Sequence, residues 1–296
     1  MLHVVLPVHN RRPITQAFAR ALNAQTVNDY RLLLVDDGCS DGTVAAVESL
    51  LPPERLMVIH GDGQLWWAGA LQRAWQLLSA LPAGDADAVL IINDDVGIEP
   101  GFLAAGLAVL AEHPGACIQA IGIDKSSGVR DRGAIADLLR LRFRPAAEGE
   151  APNCLSTRGL LMRLNLFASS GGFRPDRLPH YLSDYEFTLR LARRGVPLVV
   201  DPRFQLMADP GSSGEADFAG RGLREFIARS LSNRAKYNPR HWAALAWMVC
   251  PWWIAPLRVA RIWTAFVRRG LRVALASGAS RSGPRPGPPP TTLDRS

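Results

Sequence analysis

Cysteine is scarce: the 296 residues hold four, Cys39, Cys117, Cys154 and Cys250, far apart and without a CxxC pair. That spacing argues against a zinc cluster or a disulfide framework and suits a reducing cytosol. No GxGxxG follows the first apolar run and no GxxxxGK[ST] occurs anywhere, which sets aside dinucleotide-binding and P-loop folds. The first eight residues place no basic region ahead of an apolar stretch, so no secretory signal is expected there. The Trp-rich apolar run over 243–257 carries no charge but is broken by Pro251 and Pro256. It is shorter than the roughly 20 residues that span a bilayer.

What is present is an ordinary globular composition, 48% hydrophobic and 21% charged, suited to one large α/β domain with an appendage. The net charge of +7 is unevenly spread. Residues 221–296 hold 14 Lys and Arg against 2 Asp and Glu, whereas residues 1–220 hold 20 against 25. A slightly acidic body thus carries a basic end piece, as in chains that meet an anionic surface, nucleic acid or membrane.

The body is organised around Val89-Leu90-Ile91-Ile92-Asn93-Asp94-Asp95-Val96. Four apolar residues, the signature of a buried strand, run into an amide and two adjacent carboxylates. In open α/β sheets, ligands bind beyond the carboxyl ends of the strands. Neighbouring carboxylates repel and call for a counter-charge, and oxygen-only ligands suit Mg²⁺ or Mn²⁺. The structural alternative is a solvated turn after a strand, where Asn and Asp are common. Further apolar runs at 2–8, 32–35 and 56–59 alternate with helical spacing at 14–22, 44–51, 65–81 and 101–112. That alternation predicts a parallel sheet with right-handed crossovers. The clusters Pro7 to Arg11, Asp36 to Asp41 and Asn93 to Asp95 then share one sheet edge, where a nucleotide could bind.

Strands are expected again at 116–123, 160–162 and 196–200, with 124–150 as an irregular surface excursion. A helix should follow Ser183-Asp184, capped by one of them and ended by Gly195. Glu186, two residues past Asp184, reads as structural. Residues 222–237 read as a helix, and 257–275 as an amphipathic one. Arg258, Arg261, Arg268, Arg269 and Arg272 oppose Val259, Ile262, Trp263, Phe266 and Val273 on it. Apolar surface rich in Trp beside Arg suits an interfacial helix on anionic lipid; the alternative is a helical subdomain packed on the body. The Pro-, Gly-, Ser- and Arg-rich end should be disordered.

Taken in order, these pieces resemble the family-two inverting glycosyltransferases with the GT-A fold, over residues 2–215. The resemblance rests on Val5-Leu6-Pro7-Val8-His9-Asn10, Val35-Asp36-Asp37-Gly38, Gly61-Asp62-Gly63-Gln64-Leu65-Trp66-Trp67, Asn93-Asp94-Asp95, Gly171-Gly172-Phe173 and Ser183-Asp184-Tyr185-Glu186. The Trp66-Trp67 variant is similar to a branch of bacterial cell-surface transferases that includes rhamnosyltransferase-like members. The resemblance implies a GT-A domain with a mostly parallel sheet, taken over 1–220; the change in composition sets off a basic helical extension over 221–275 and a tail over 276–296. The resemblance also implies Asp95 on a metal, Mg²⁺ or Mn²⁺, and Asp94 near the donor ribose. Pro7, His9, Arg11, Asp36, Asp37, Gly61, Trp67 and Asn93 would complete the donor pocket, and His180 and Trp66 would face the acceptor. Asp184 matches the family's catalytic base, with Ser183 where an acid often precedes it. Relatives often carry a His after the last strand; here Leu206-Met207-Ala208-Asp209-Pro210 has none, and Asp209 is the carboxylate that could stand in. The expected activity is sugar transfer from a nucleotide-diphospho-sugar to a cell-envelope glycan or polyprenyl-linked acceptor. It would take place at the cytoplasmic, inner face of the cell membrane, on an anionic lipid surface and without a nucleic-acid partner. Two other classes stay open: a sugar-nucleotide pyrophosphorylase, and a non-catalytic nucleotide-sugar-binding scaffold on the membrane.

Overall fold

The computed structural model describes residues 1–82, 84–208 and 222–279. The N-terminal half alternates as expected: β1 (Leu2–Val8), α1 (Arg12–Asn23), β2 (Tyr30–Asp36), α2 (Thr43–Glu48), β3 (Leu56–His60), α3 (Trp66–Ser79) and β4 (Ala88–Ile91). Then come β5 (Val96–Gly97), α4 (Phe102–Glu112), β6 (Cys117–Asp124), β7 (Arg130–Asp131), β8 (Ala134–Asp137), β9 (Arg142–Pro145), β10 (Leu160–Arg163) and α5 (Leu164–Ser169). The chain closes with α6 (Ser183–Arg193), β11 (Leu198–Ala208), α7 (Leu223–Ser230), α8 (Pro239–Val249) and α9 (Ala255–Ala279).

The main sheet runs β3-β2-β1-β4-β10-β6-β11-β5, with β7 beside β6. Strands β1 to β4 are parallel throughout. Strand β10 is antiparallel to both β4 and β6, and β5 to β11. The sheet is mostly parallel, as expected, with β10, β5 and β7 running against the rest. Period-two alternation along the central strands divides the core. Val4, Leu6, Leu32, Leu34 and Leu90 face one buried cluster with Phe18, Leu22, Val47 and Leu103. Val5, Leu33, Val35, Val89 and Ile91 face a second with Leu71, Phe167, Phe173 and Phe187. Strands covered on both faces need continuous apolar runs, and this is why they are easily seen in the sequence.

Three expectations change. The stretch 124–150 is not irregular: β8 and β9 form a hairpin whose Ala134 and Ala136 are buried. The last strand runs on to Ala208, with a register shift between Val200 and Gln205 around Pro202, which has no N–H to give the ladder. The helix expected over 222–237 stops at Ser230.

The C-terminal helices divide the work of their apolar residues. Leu245, Ala246 and Val249 of α8 are buried against Leu178, Leu182 and Leu189 and against the hairpin. Arg193, at the end of α6, donates to the carbonyls of Met248 (3.1 Å) and Val249, the free acceptors at the C-terminus of α8. On α9, Val259 and Ile262 join this same cluster, and Phe266 stacks on Phe226 of α7 at 5.4 Å. The face expected to meet lipid is thus largely the face that meets protein. A second apolar stripe, Leu257, Val267, Leu271 and Leu275, lies exposed near Trp252 and Trp253. Among the described residues no helix is long and apolar enough to cross a membrane.

Leu245 is fully buried, so Leu245→Ala should lower stability by about 2–4 kcal/mol. Leu271→Ala, on the open stripe, should change it by less than about 0.5 kcal/mol. Chemical denaturation of the two variants beside the parent measures both; equal effects would mean that α8 is not part of the folded core.

Candidate active site

The carboxyl edge of the parallel strands gathers the polar clusters. Arg11, just ahead of α1, reaches to the turn after β4, with Nη1 at 3.0 Å from Asp94 Oδ1 and Nη2 at 3.2 Å from Asp95 Oδ2. Thr15, one turn into α1, donates its hydroxyl to Asp94 Oδ2 at 2.7 Å. Asp94 therefore has both oxygens engaged, and its side chain is 2% exposed against 11% for Asp95. Burial pushes the Asp94 carboxyl above the ordinary range, although Thr15 and Arg11 act against that. Asn93 lies half-buried just past β4, and Pro7 sits on β1 opposite Val35 of β2.

Asp36 and Asp37 do different jobs. Asp36 Oδ1 accepts the Cys39 N–H at 2.7 Å, and Oδ2 pairs with His60 Nδ1 at 3.0 Å. Burial works to raise its carboxyl, but the bonds from Cys39 and His60 outweigh burial and hold it below the ordinary range. Asp37 spends its carboxylate on the backbone. Oδ1 accepts from Gly63 (2.9 Å) and Leu65 (3.1 Å), and Oδ2 accepts from Trp66 (3.0 Å). It thus ties the end of β2 to the start of α3, where donors are otherwise orphaned. The Asp37 carbonyl in turn accepts from His9 Nδ1 at 2.6 Å. Gly61 is what lets this turn close: a Cβ there would lie 2.5 Å from Leu65 Cδ1 and 2.9 Å from Asp37 Oδ1.

Asp184 lies in the first turn of α6 but does not cap it. The cap position is Leu182, held at φ 70°, and no side chain caps the helix. Ser183, buried, donates to the His180 carbonyl at 2.9 Å and pins the turn. Asp184 is hemmed in by protein and keeps only part of its surface open; burial pushes its carboxyl up to about 6, opposed by the Tyr185 N–H and by Arg158 and reinforced by Asp131. Glu186 is occupied: Arg190 meets it at 2.7 Å while also donating to the carbonyls of Ser170 and Gly172. His180 packs edge-on against Trp66 at 5.9 Å.

One connection links these groups, the loop over residues 154–159. Its Thr157 accepts from Trp67 Nε1 at 3.0 Å. Its Leu155 N–H donates to Thr188 of α6 at 3.0 Å, and Arg158 acts on Asp184. Its Gly159 N–H donates to the Ile91 carbonyl at 3.0 Å, at the end of β4. Arg158, Thr157 and Asp131 are the residues that sequence reading passed over. They belong to no motif: Thr157 and Arg158 lie in the loop that leads into the antiparallel β10, and Asp131 is placed by the pairing of β7 with β6. Asp209 lies outside the described residues.

Among the described residues, no group of three or more His, Cys, Asp and Glu gathers into a metal cage. A hard divalent ion can instead take one or two carboxylates and complete its shell with substrate phosphates and water. Asp95, the more exposed of the pair and an oxygen ligand at the sheet's carboxyl edge, fits that donor set.

Residues 3–163 match the model of the glycosyl transferase family 2. The chain belongs to that family. It is similar to the N-acetylglucosaminyl-diphospho-decaprenol L-rhamnosyltransferase of Mycobacterium tuberculosis, 26% identical over 286 residues, covering 87% of this chain and 88% of that one. A PGL/p-HBAD biosynthesis glycosyltransferase of Mycobacterium bovis is 28% identical over 64% of this chain and 69% of its own. A mannosyltransferase from Pyrobaculum calidifontis, solved with GDP-Man and Mn²⁺, superposes with a TM-score of 0.53 at 17% identity, over 95% of this chain and 80% of that one. GalNAc-T7, solved with UDP, GalNAc and Mn²⁺, gives 0.59 at 12% identity, over 83% and 47%. The fold is GT-A, and the chain is a glycosyltransferase of rhamnosyltransferase-like type. The pyrophosphorylase and scaffold readings fall away.

A carboxyl whose folded pKa lies above its unfolded value binds its proton more tightly when folded. Its contribution to stability is complete below the unfolded value, near 4, and is lost as pH rises to about 6. At pH 7 the ionised Asp184 is a cost. Asp184→Asn should therefore be more stable than the parent at pH 7 by roughly 1–3 kcal/mol, with the gap closing toward pH 4. Melting curves at pH 4 to 7 test this; an Asn variant less stable at every pH would make Asp184 a structural residue.

Proposed function

We propose that this family-2 glycosyltransferase moves a sugar from a nucleotide-diphospho-sugar to a lipid-linked glycan acceptor in one displacement that inverts the anomeric carbon. The observation that carries the reading is the loop over 154–159, which couples the end of β4, with Asp94 and Asp95, to the helix bearing Asp184. Likeness along most of the chain to a rhamnosyltransferase acting on a diphospho-decaprenol-linked sugar supports a deoxyhexose donor and a polyprenyl-diphosphate-linked acceptor.

In this reading Pro7, His9, Asp36, Asn93 and Asp94 line the donor's base and ribose. Asp37, Gly61 and Trp67 set the pocket wall, and Arg11 holds the acidic turn in place. Mg²⁺ or Mn²⁺ held by Asp95 would act as a Lewis acid on the departing diphosphate. Asp184 takes the acceptor hydroxyl's proton. A carboxyl raised to about 6 is still mostly ionised at neutral pH and is a stronger base than an ordinary carboxylate. Arg158 steadies its charge, and Trp66 and His180 face the acceptor.

Asp184→Asn should bind donor normally and transfer sugar about 10²-fold more slowly or worse. Asp95→Ala should lose transfer, EDTA should mimic it, and Mg²⁺ or Mn²⁺ should restore the EDTA-treated parent. Donor affinity and turnover measured side by side decide; parental turnover in Asp184→Asn would place the base elsewhere.

In this reading the extension over 221–275 rests on the inner face of the cell membrane. Trp252 (83% exposed), Trp253, Leu257, Val267, Leu271 and Leu275 form its apolar surface. The α9 arginines supply charge, and neither Asp nor Glu occurs in that helix. Trp252→Ser with Leu271→Ser should reduce binding to phosphatidylglycerol vesicles severalfold at constant melting temperature, and salt should weaken the remainder. Co-sedimentation equal to the parent would remove this surface from the membrane reading.

A further inference from the structure

A cavity of about 540 Å³ lies between α3 and the C-terminal helices, outside the groups assigned to catalysis. Its wall includes Trp66, Arg177, Arg240 and His241. Arg240 and His241 stand in the first turn of α8, an 11-residue helix whose N-terminus carries partial positive charge. Arg234 stands with its guanidinium 5.9 Å from the Trp66 ring. Asp176, the acid of the described wall, is held by Arg177 at 3.4 Å. His241 is only 7% exposed, yet its Nδ1 has no hydrogen-bond partner. A buried polar atom without a partner is costly, and here it borders a cavity whose wall includes two arginines, Arg177 and Arg240.

The cavity also has a direction. Arg240, Ala244 and Trp247 stand four and three residues apart and share one face of α8. The first two line the cavity, and Trp247 is exposed, as are Trp252 and Trp253 just past the end of the helix. At the other end, Trp66 packs on His180, whose carbonyl holds Ser183, the neighbour of Asp184. A ligand spanning the site would therefore place its reacting group near Asp184, its anionic part at the arginines and its apolar tail along α8.

We propose that this cavity is the seat of the acceptor's diphosphate, held by Arg177, Arg240 and His241, with the prenyl chain leaving along Ala244 and Trp247. The assignment rests on the lipid-linked acceptor proposed above. A diphosphate suits it better than a monoester because two separated guanidinium groups can each take a phosphate.

Calorimetry in metal-free buffer tests it with three probes: inorganic pyrophosphate, glycerol phosphate as the analogue of a phospholipid headgroup, and a short-chain prenyl diphospho-N-acetylglucosamine. Pyrophosphate should bind at least about tenfold more tightly than glycerol phosphate, and Arg177→Gln with Arg240→Gln should weaken it about tenfold or more. Trp247→Ser should weaken the prenyl compound and leave pyrophosphate unchanged. Pyrophosphate binding indifferent to the arginine variants overturns the proposal, and so does glycerol phosphate binding as tightly. If pyrophosphate responds as expected while the prenyl compound binds no better, the diphosphate seat stands and the lipid-linked acceptor falls.

Discussion

Two carboxylates in succession at the end of a buried strand repel each other, and Arg11 makes the arrangement tenable. Its guanidinium spans Asp94 and Asp95 from the opposite side of the strand edge. An ion pair this enclosed stabilises little against an apolar substitute, but losing one partner would strand a charge. Arg11 also sits where β1 gives way to α1, and Arg12 beside it donates its N–H to Asp41 at 2.9 Å. The Arg11 cation therefore joins the ends of β1 and β4, and the Arg12 N–H adds the turn after β2. The site inherits a geometry set before any ligand arrives.

Asp37 does for the other side of the edge what Arg11 does for the first. Three backbone donors converge on one carboxylate, and α3 begins where they place it. Trp66 at φ 56° and Leu182 at φ 70° sit in a backbone region that side chains disfavour by about 1–2 kcal/mol. Both flank the proposed acceptor side, and both are held by contacts made elsewhere: Trp66 by Asp37, and Leu182 by the buried cluster that includes α8.

Much of this was legible in the residues because the central strands are apolar on both faces and end abruptly in acids. Those signals are local. The antiparallel entry of β10 and the loop over 154–159 depend on pairings between distant segments, which no local period encodes; the hairpin of β8 and β9 is local, but its second strand is mostly exposed and Arg-rich. Asp184 looked like a helix cap because Asp favours that place, yet Leu182 takes it, since the turn is fixed by burial of its side chain. On α9 the period announced an apolar face, but the helix carries two. Periodicity cannot say which of two stripes will meet protein; only the presence of Phe226 opposite Phe266 does.

The cluster that joins α8 to α6 and the hairpin also defines what can be exchanged between relatives. Leu182, two residues before Asp184, shares its packing with Leu245 and Val249, and Arg193 closes the end of α8. A recombination point placed at the start of the basic extension would cut through a continuous interior and leave each half with an unmatched surface. A swap meant to alter the proposed acceptor side would have to carry the hairpin, α6 and α8 as a block. Three separate stretches of sequence thus encode one packed unit, and none of them has a complete interior of its own.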